Sequence, residues 1–429
     1  MSLLVPLKRV AQIRYGLGQP PPLSDDGVPI LRATNIARGK ISEKDLLRAR
    51  IEDLPLDRAP LLREGEILVV RSGAYTGDSA RITGEWSGSA PGYDLRVSPY
   101  GIDSHYLAYA LLSTSVQDQI NLASSRAAQP HLNAEELGGV SLWTPPLDEQ
   151  HRIATFLDAE VSRIDRLIGA RRRQYESLDE RAYAAMSDML IPGTLSMPSQ
   201  DWPWAWLPRL PEHLPLVRLG YVCRLQSGIT VDSKRDAGGD PVTRPYLRVA
   251  NVQADRVELD SVTEITVPRD VAARSTLRSG DVLMTEGGDL DKLGRGTVWN
   301  GEIAECLHQN HVFALRPDRD RLDGGYLALL TQSLHGRCYF ESTGVKTTNL
   351  ASTNSSKILD FPLPLPSVQR QKSLVRQVRG NLDAVARAKH SLERQLDLLA
   401  ERRQALITAA VTGQLDVASA GRTSPPDGI

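Results

Sequence analysis

The side chains best suited to chemistry in this chain of 429 residues are hydrogen-bonding ones grouped in loop-like stretches. In the first half they are Arg71, Ser72, Tyr75 and Thr76, followed by Arg126 and Gln129. In the second half they are Asp289, Lys292 and Arg295, followed by Lys346, Thr347 and Asn349. Two further pairs, Arg32 with Asn35 and Arg248 with Asn251, have the same spacing in both halves. Arginine, lysine, asparagine, glutamine, serine and threonine are the residues that reach base edges and phosphates of nucleic acids. None of these groups has the nucleophile–base–orienter form of covalent catalysis. The same loops are also compatible with ordinary solvated turns.

Other chemistries are poorly supplied. There is no GxxxxGK[ST] phosphate loop and no GxSxG elbow. Gly16-Leu17-Gly18 runs into Gln19-Pro20-Pro21-Pro22, which cannot open a phosphate-binding helix. Asn/Asp-Pro-Pro-aromatic segments of the amino-methyltransferase kind are absent, and Pro317-Asp318 lacks the acidic-x-Lys that would complete a common nuclease site. Cys306, His308 and His311 are the best metal candidates, but a structural zinc needs four ligands, so no metal site is expected. The three cysteines form no CxxC pair, which points to a reducing, cytosolic setting without a disulfide framework. No apolar run is long enough to span a bilayer. Formal net charge is -1, which excludes a uniformly basic coat for nucleic acid but not local patches or a basic partner.

The elements that would position these loops occur twice. Pro6-Leu7-Lys8-Arg9-Val10 returns as Pro215-Leu216-Val217-Arg218-Leu219, and Leu31-Arg32-Ala33-Thr34-Asn35-Ile36 as Leu247-Arg248-Val249-Ala250-Asn251-Val252. Leu62 to Leu68 returns as Leu277 to Leu283, with a Gly-acidic turn before the apolar run in both copies. Pro145 and Gln150 are set against Pro364 and Gln369, Glu180-Arg181 against Glu401-Arg402, and Gly193-Thr194-Leu195 against Gly413-Gln414-Leu415. The offset is about 220 residues, far beyond a solenoid period of about 20–50, so a domain pair has been duplicated.

Each copy opens with a globular part of mixed α and β character. Ile67–Val70 and Val282–Thr285 read as buried strands, and Tyr106–Leu112 and Tyr326–Leu330 as helices. Each closes with a proline-free stretch carrying an a/d seam. In the first, apolar residues recur from Leu157, Val161, Ile164 and Ile168 to Ala185 and Met189, with Arg171 as a break. In the second they run from Val378 to Ala410, interrupted by Lys389 and Arg403. A helix of about 45 residues is roughly 65 Å long, too long for one small domain to cover, so each seam is expected to pair with its twin. The pairing must be antiparallel if the globular parts sit at opposite ends. The expected fold is therefore mixed α and β, two similar globular domains joined by two long helices in an antiparallel coiled coil, with a pseudo-two-fold internal repeat. Boundaries fall at 1–146 and 215–366 for the globular domains, 147–191 and 367–413 for the helices, and 192–214 for a linker bearing Trp202, Trp204 and Trp206. A polar tail, 414–429, is expected to be disordered.

This arrangement resembles the specificity subunit of type I restriction–modification systems over essentially the whole chain. The resemblance rests on the order of elements and on Pro145-Pro146-Leu147-Asp148-Glu149-Gln150-His151-Arg152-Ile153, similar to the family's lead into its conserved helix. Gln129-Pro130-His131-Leu132-Asn133 is similar to the family's preceding loop. The second copy departs from both: Pro364-Leu365-Pro366-Ser367-Val368-Gln369 lacks the Glu, and Thr347-Thr348-Asn349-Leu350 replaces the Gln-Pro-His form. The resemblance implies two target recognition domains, each reading one half of a split double-stranded DNA target, and a coiled coil that fixes the spacer. It also implies a non-catalytic subunit: two modification (methyltransferase) subunits would bring S-adenosylmethionine, restriction subunits would bring ATP- and Mg-dependent cleavage, and this chain would hold no cofactor of its own. The competing readings are a coiled-coil adaptor for proteins and, against the missing motifs, a fused methyltransferase–nuclease.

Overall fold

The computed structural model describes residues 4–124, 130–193, 215–230, 240–254, 256–288, 293–346 and 351–420. Arg126, Gln129, Asp289, Lys292, Thr347 and Asn349, the tryptophans of the linker and residues 421–429 lie outside the described residues, and of Lys346 only the backbone is described. The chain forms two compact units. The first comprises residues 1–173 and 392–429, the second residues 174–391, so each unit draws on both copies of the repeat.

In the first unit a four-stranded antiparallel sheet runs Ala11–Tyr15, Leu95–Pro99, Ile67–Val69, Ser79–Arg81. Val97 sits between Ile13 and Ile67 in register. The second unit repeats the order with Cys223–Ser227, Val312–Pro317, Val282–Thr285 and Gly296–Val298, and Leu315 stands between Leu225 and Val282. The central apolar runs are buried throughout, as full coverage of both sheet faces requires. A smaller sheet flanks each: Leu47–Ala49, Val28–Leu31 and Ala90–Pro91 in one, Thr263–Pro268, Pro241–Leu247 and Leu307–His308 in the other. In both, the last pairing is parallel.

The strand entered from each Gly-acidic turn is anchored by an ion pair on a buried carboxylate. Arg96 Nη2 lies 2.6 Å from Glu66 Oε2 and Ser98 Oγ donates to Glu66 Oε1 at 2.6 Å. Arg316 grips Asp281 through Nε (2.8 Å) and Nη2 (2.7 Å). Both carboxylates also accept a backbone N–H three residues earlier, from Arg63 and Arg278. A buried carboxylate survives only with such full satisfaction, so the acidic residue of the turn has a structural reason to recur.

The long helices are Leu147–Leu190 and Val368–Val411. Each ends on a glycine with positive φ, Gly193 (+87°) and Gly413 (+72°), the left-handed geometry that stops a helix. In the first unit Ile153, Leu157 and Val161 of the central helix share a core with Ile407, Ala410 and Val411 of the C-terminal one. In the second, Met186 and Leu190 join Leu374, Val375 and Val378. The cations that interrupt the second seam are neutralised by the other helix: Arg403 Nε meets Asp165 Oδ1 at 3.0 Å, and Lys389 Nζ meets Asp179 Oδ2 at 2.6 Å. Hydroxyls near the helix ends complete the exchange. Thr408 Oγ1 accepts from Thr114 N at 3.0 Å, and Ser187 Oγ from Leu334 N at 2.9 Å. Each caps a helix that belongs to the other copy of the repeat.

Two expectations need correction. Residues 414–420 are ordered rather than a free tail: Gln414 and Leu415 donate to Ala409 O, Leu415 and Val417 pack on the first core, and Val417–Ala420 is helical. Apolar residues at 415 and 417 had a surface to bury against, which composition alone conceals. The partner of Gln150 is Gln371, not Gln369. Gln150 is buried, its Oε1 accepting from Asp103 N (2.8 Å) and its Nε2 donating to Pro145 O (2.7 Å). Gln371 makes the same bonds to Asp323 N (2.8 Å) and Pro366 O (2.7 Å), whereas Gln369 is exposed. Gln150→Leu and Gln371→Leu each strand a buried donor or acceptor and are expected to cost about 2–3 kcal/mol in urea unfolding, while Gln369→Leu stays within ~0.5 kcal/mol.

Candidate nucleic-acid interface

The loop after Ile67–Val69 is held by backbone pairing to the segment that precedes the Ala134–Gly139 helix. Leu132 N donates to Arg71 O at 2.7 Å, and Ser72 bridges to His131. Thr76 Oγ1 donates to Gly73 O (2.8 Å) and reaches Pro130 O (3.4 Å), so the turn closes on itself and on the second loop. Gly73 (φ +90°) allows that turn without a Cβ penalty. Arg71, Ser72, Tyr75 and Thr76 are thus brought together with His131 of the Gln129–Asn133 stretch.

Arg71 is the centre of this cluster. Its guanidinium carbon lies 4.7 Å from the ring centroid of Tyr15 and 4.4 Å from that of Tyr93, and Nη2 is 2.9 Å from His131 Nε2. Both tyrosines are about half exposed, and Tyr75 presents another open ring. Aromatic faces hold a cation in a fixed plane at the surface and offer stacking area to an unsaturated ligand. Tyr15 and Tyr93 lie far from Arg71 in sequence and carry no local motif, so only the strand pairing could reveal them. Beside the cluster is a cavity of about 560 Å³ with Leu17, Ile30 and Leu47 in its wall and Arg32, Ser72 and Asp94 among its polar groups.

The Arg32/Asn35 and Arg248/Asn251 pairs recur in both copies, which is compatible with a structural or phosphate-facing role as well as with base contact, and the asparagines take the structural one. Asn35 and Asn251 are 1% and 0% exposed. Asn35 Oδ1 accepts from Arg32 N, and its Nδ2 donates to Ser42 O and Lys44 O. Asn251 Oδ1 accepts from Arg248 N, and its Nδ2 donates to Glu258 O. Arg32 and Arg248 donate through Nη2 to Asp45 O and Ser261 O. These asparagines recur because they tie down a loop, and burial removes them as direct contacts. Arg295 is half-buried and close enough to Tyr183 of the central helix for its charge, with that of Arg337, to oppose the burial that raises the Tyr183 hydroxyl pKa.

In the second unit the same backbone frame carries other side chains. Thr353 N donates to Glu286 O at 2.8 Å, as Leu132 N does to Arg71 O, and Gly287 pairs with Ser352 where Ser72 bridges to His131. Val345–Lys346 adds a third strand there. Glu286 Oε2 is 2.5 Å from His311 Nδ1. His311 is therefore engaged by a carboxylate, while His308 is fully buried with Nδ1 2.7 Å from Val312 O. Among the described residues no group of three His, Cys, Asp or Glu side chains could hold a metal ion, and no helix is long and apolar enough to cross a membrane.

The two units thus carry matched backbone frames with unlike loop side chains. Residues 24–173 match the family model of the type I restriction modification DNA specificity domain. The chain is 24% identical to the EcoKI specificity subunit of Escherichia coli (strain K12) over 405 residues, 92% of this chain and 83% of that one. It is 23% identical to the StySPI specificity subunit of Salmonella potsdam over 406 residues, again 92% and 83%. In fold it is similar to a chain from a type I R-M system solved for its assembly and conformational transition (TM-score 0.68, 19% identity, 96% of this chain and 98% of that one). It is also similar to the HsdS subunit from Thermoanaerobacter tengcongensis (TM-score 0.57, 19% identity, 96% and 97%). The chain is a relative of the type I restriction–modification specificity subunits.

Asp94 couples this site to pH. It is 3% exposed and accepts Arg71 N–H at 3.2 Å. Burial pushes its pKa up to about 6, against the opposing backbone N–H groups of Arg71 and Ala33 and the charge of Arg71. An unfolded aspartate titrates near ~4, so between about pH 4 and 6 the native state holds a proton the unfolded state has lost. Stability conferred by that proton is present at low pH and falls as pH rises through the window. Asp94→Asn is expected to remove this slope, worth on the order of 2 kcal/mol, in urea unfolding curves taken from pH 4 to pH 7.

Proposed function

We propose that this chain is the sequence-reading subunit of a type I restriction–modification complex, a recognition component and not the catalytic one. Each unit reads one half of a split duplex target through the loop cluster at the end of its central strand. The observation that carries this is the pair of matched loop frames with different side chains: a frame kept twice and refitted twice is what two related but distinct targets require. The first cluster, with Arg71 between Tyr15 and Tyr93, has the donor fork and aromatic faces suited to bases.

The two long helices form an antiparallel coiled coil in this reading, and its length fixes the non-specific spacer between half-sites. Support comes from the ion pairs Asp165–Arg403 in the first unit and Asp179–Lys389 in the second, in which rising numbers on one helix meet falling numbers on the other. Two modification subunits dock on this chain and bring S-adenosylmethionine, and restriction subunits add ATP, Mg and cleavage. Much of the electrostatic grip on phosphates then comes from the partners, which suits a net charge of -1. The complex works in the cytoplasm, on cellular and incoming DNA.

Single-molecule methylation mapping of cells holding this chain and its methyltransferase tests the reading. A split asymmetric motif that disappears when the chain is removed is the expected result. An unchanged methylome with the partner expressed would favour a protein adaptor with no DNA specificity. Within a working complex, Arg71→Ala is expected to cost about 1–3 kcal/mol at one half-site, measured as affinity for the cognate duplex.

A further inference from the structure

The two loop frames place side chains of opposite hydrogen-bond character at one position. Arg71 and Glu286 follow the equivalent central strands, Ile67–Val69 and Val282–Thr285. Each backbone carbonyl accepts from the partner loop, at Leu132 N and Thr353 N. Each backbone N–H is also taken, by Asp94 Oδ1 and by His311 O. The next residues, Ser72 and Gly287, pair with His131 and Ser352. The carbonyl bond and the pairing of the next residue coincide and align the two positions, while the N–H bond goes to a side-chain carboxylate in one unit and to a backbone carbonyl in the other.

An arginine is donor-only and a carboxylate is acceptor-only. Arg71 can serve a phosphate or the O6/N7 acceptors of guanine. Glu286 cannot serve a phosphate, because two anions repel. In the major groove its partners are exocyclic amino groups, cytosine N4 or adenine N6, of which cytosine N4 is the usual choice for a carboxylate. The neighbours reinforce the contrast. Arg71 is clamped flat by Tyr15 and Tyr93, which preserves its fork. Glu286 is braced through Oε2 by His311 Nδ1 at 2.5 Å and is about one-third exposed, so its carboxylate faces the loop surface in a set position.

We propose that Arg71 and Glu286 are the equivalent specificity-determining residues of the two units. The first half-site then carries a guanine at that position, and the second an amino-bearing base, cytosine, at the corresponding one. This rests on the reading of the chain as a DNA specificity subunit and deepens it to hydrogen-bond polarity. It separates the two units by the sign of one side chain rather than by their folds.

The test is selection of bound sequences from a randomised duplex library by the purified complex with the modification subunit, using wild-type chain, Arg71→Lys, Glu286→Gln and Glu286→Ala. Wild type is expected to enrich a split motif. Arg71→Lys keeps the charge but loses the fork, so it should retain total affinity within about twofold while guanine preference at one first-half position falls about 10-fold. Glu286→Gln, nearly isosteric, should admit adenine or lose cytosine preference by about 10-fold at one second-half position, with the first half unchanged. Glu286→Ala should remove the preference at that position altogether. Enrichment of the wild-type motif by both Glu286 variants, or uniform weakening with base preferences intact, would overturn the assignment while leaving the DNA-reading function standing. Absence of any split motif with the wild-type complex would overturn that function, and the assignment with it.

Discussion

A buried glutamine in the first turn of each long helix is the joint on which the rest of the molecule depends. Gln150 and Gln371 lie inside their units, and each spends both ends of its amide on backbone groups. One end takes the N–H of an N-cap aspartate, Asp103 or Asp323, whose own carboxylate caps the next helix at Tyr106 N or Tyr326 N. The other end holds the proline carbonyl five residues back. An amide that must satisfy a donor and an acceptor at once tolerates little rotation, so the helix leaves the globular part in one direction. The hydroxyls of Tyr106 and Tyr326 then bond the short strand leading into that helix, at Trp143 O and Pro364 O. Within each unit the start of the long helix, the capped helix and the short strand are in this way tied to one another.

The second constraint is reciprocity between the two copies of the repeat. Thr408 and Ser187 supply hydroxyls to helices of the opposite copy, and Tyr106 OH also reaches Val411 O at 3.2 Å. Ile407, Ala410 and Val411 fill the first core, while Met186, Leu190 and Ile191 fill the second. Neither globular part closes its core with its own half of the sequence. The two long seams are thus explained by more than helix pairing, since their ends are core residues of the domains they reach.

On this frame, chemistry can change while geometry stays. The Glu66–Arg96 and Asp281–Arg316 pairs, each on a buried carboxylate, hold the strand that leads into each of the matched loops. Asn35 and Asn251 hold the flanking loop from within. These are the residues that recur. Arg71 and His131 against Glu286 and Ser352 are the residues that differ on the matched frame. Recurrence marks the internal support, as the buried asparagines of the repeated Arg-x-x-Asn pairs show.

The duplication, the strand–helix order, the two helices and the loops rich in hydrogen-bonding residues were legible from the residues alone. Short-range pattern carries them: apolar spacing, Gly-acidic turns, terminal glycines and long proline-free runs depend only on neighbours in the chain. Tyr15, Tyr93 and His131 around Arg71, the acidic partners of Lys389 and Arg403, and the match of Gln150 with Gln371 were not legible. Each depends on which segments pair across tens to hundreds of residues, and the two-residue slip at Gln369 shows how weakly local similarity sets such a register. Burial likewise decided that Asn35 and Asn251 are internal ties and that Leu415 and Val417 belong to a core. The sequence by itself determined the elements and their repetition, because those are local. Tertiary structure alone decided which side chains face outward together, because strand register and the exchange of helix ends between copies bring them to one surface.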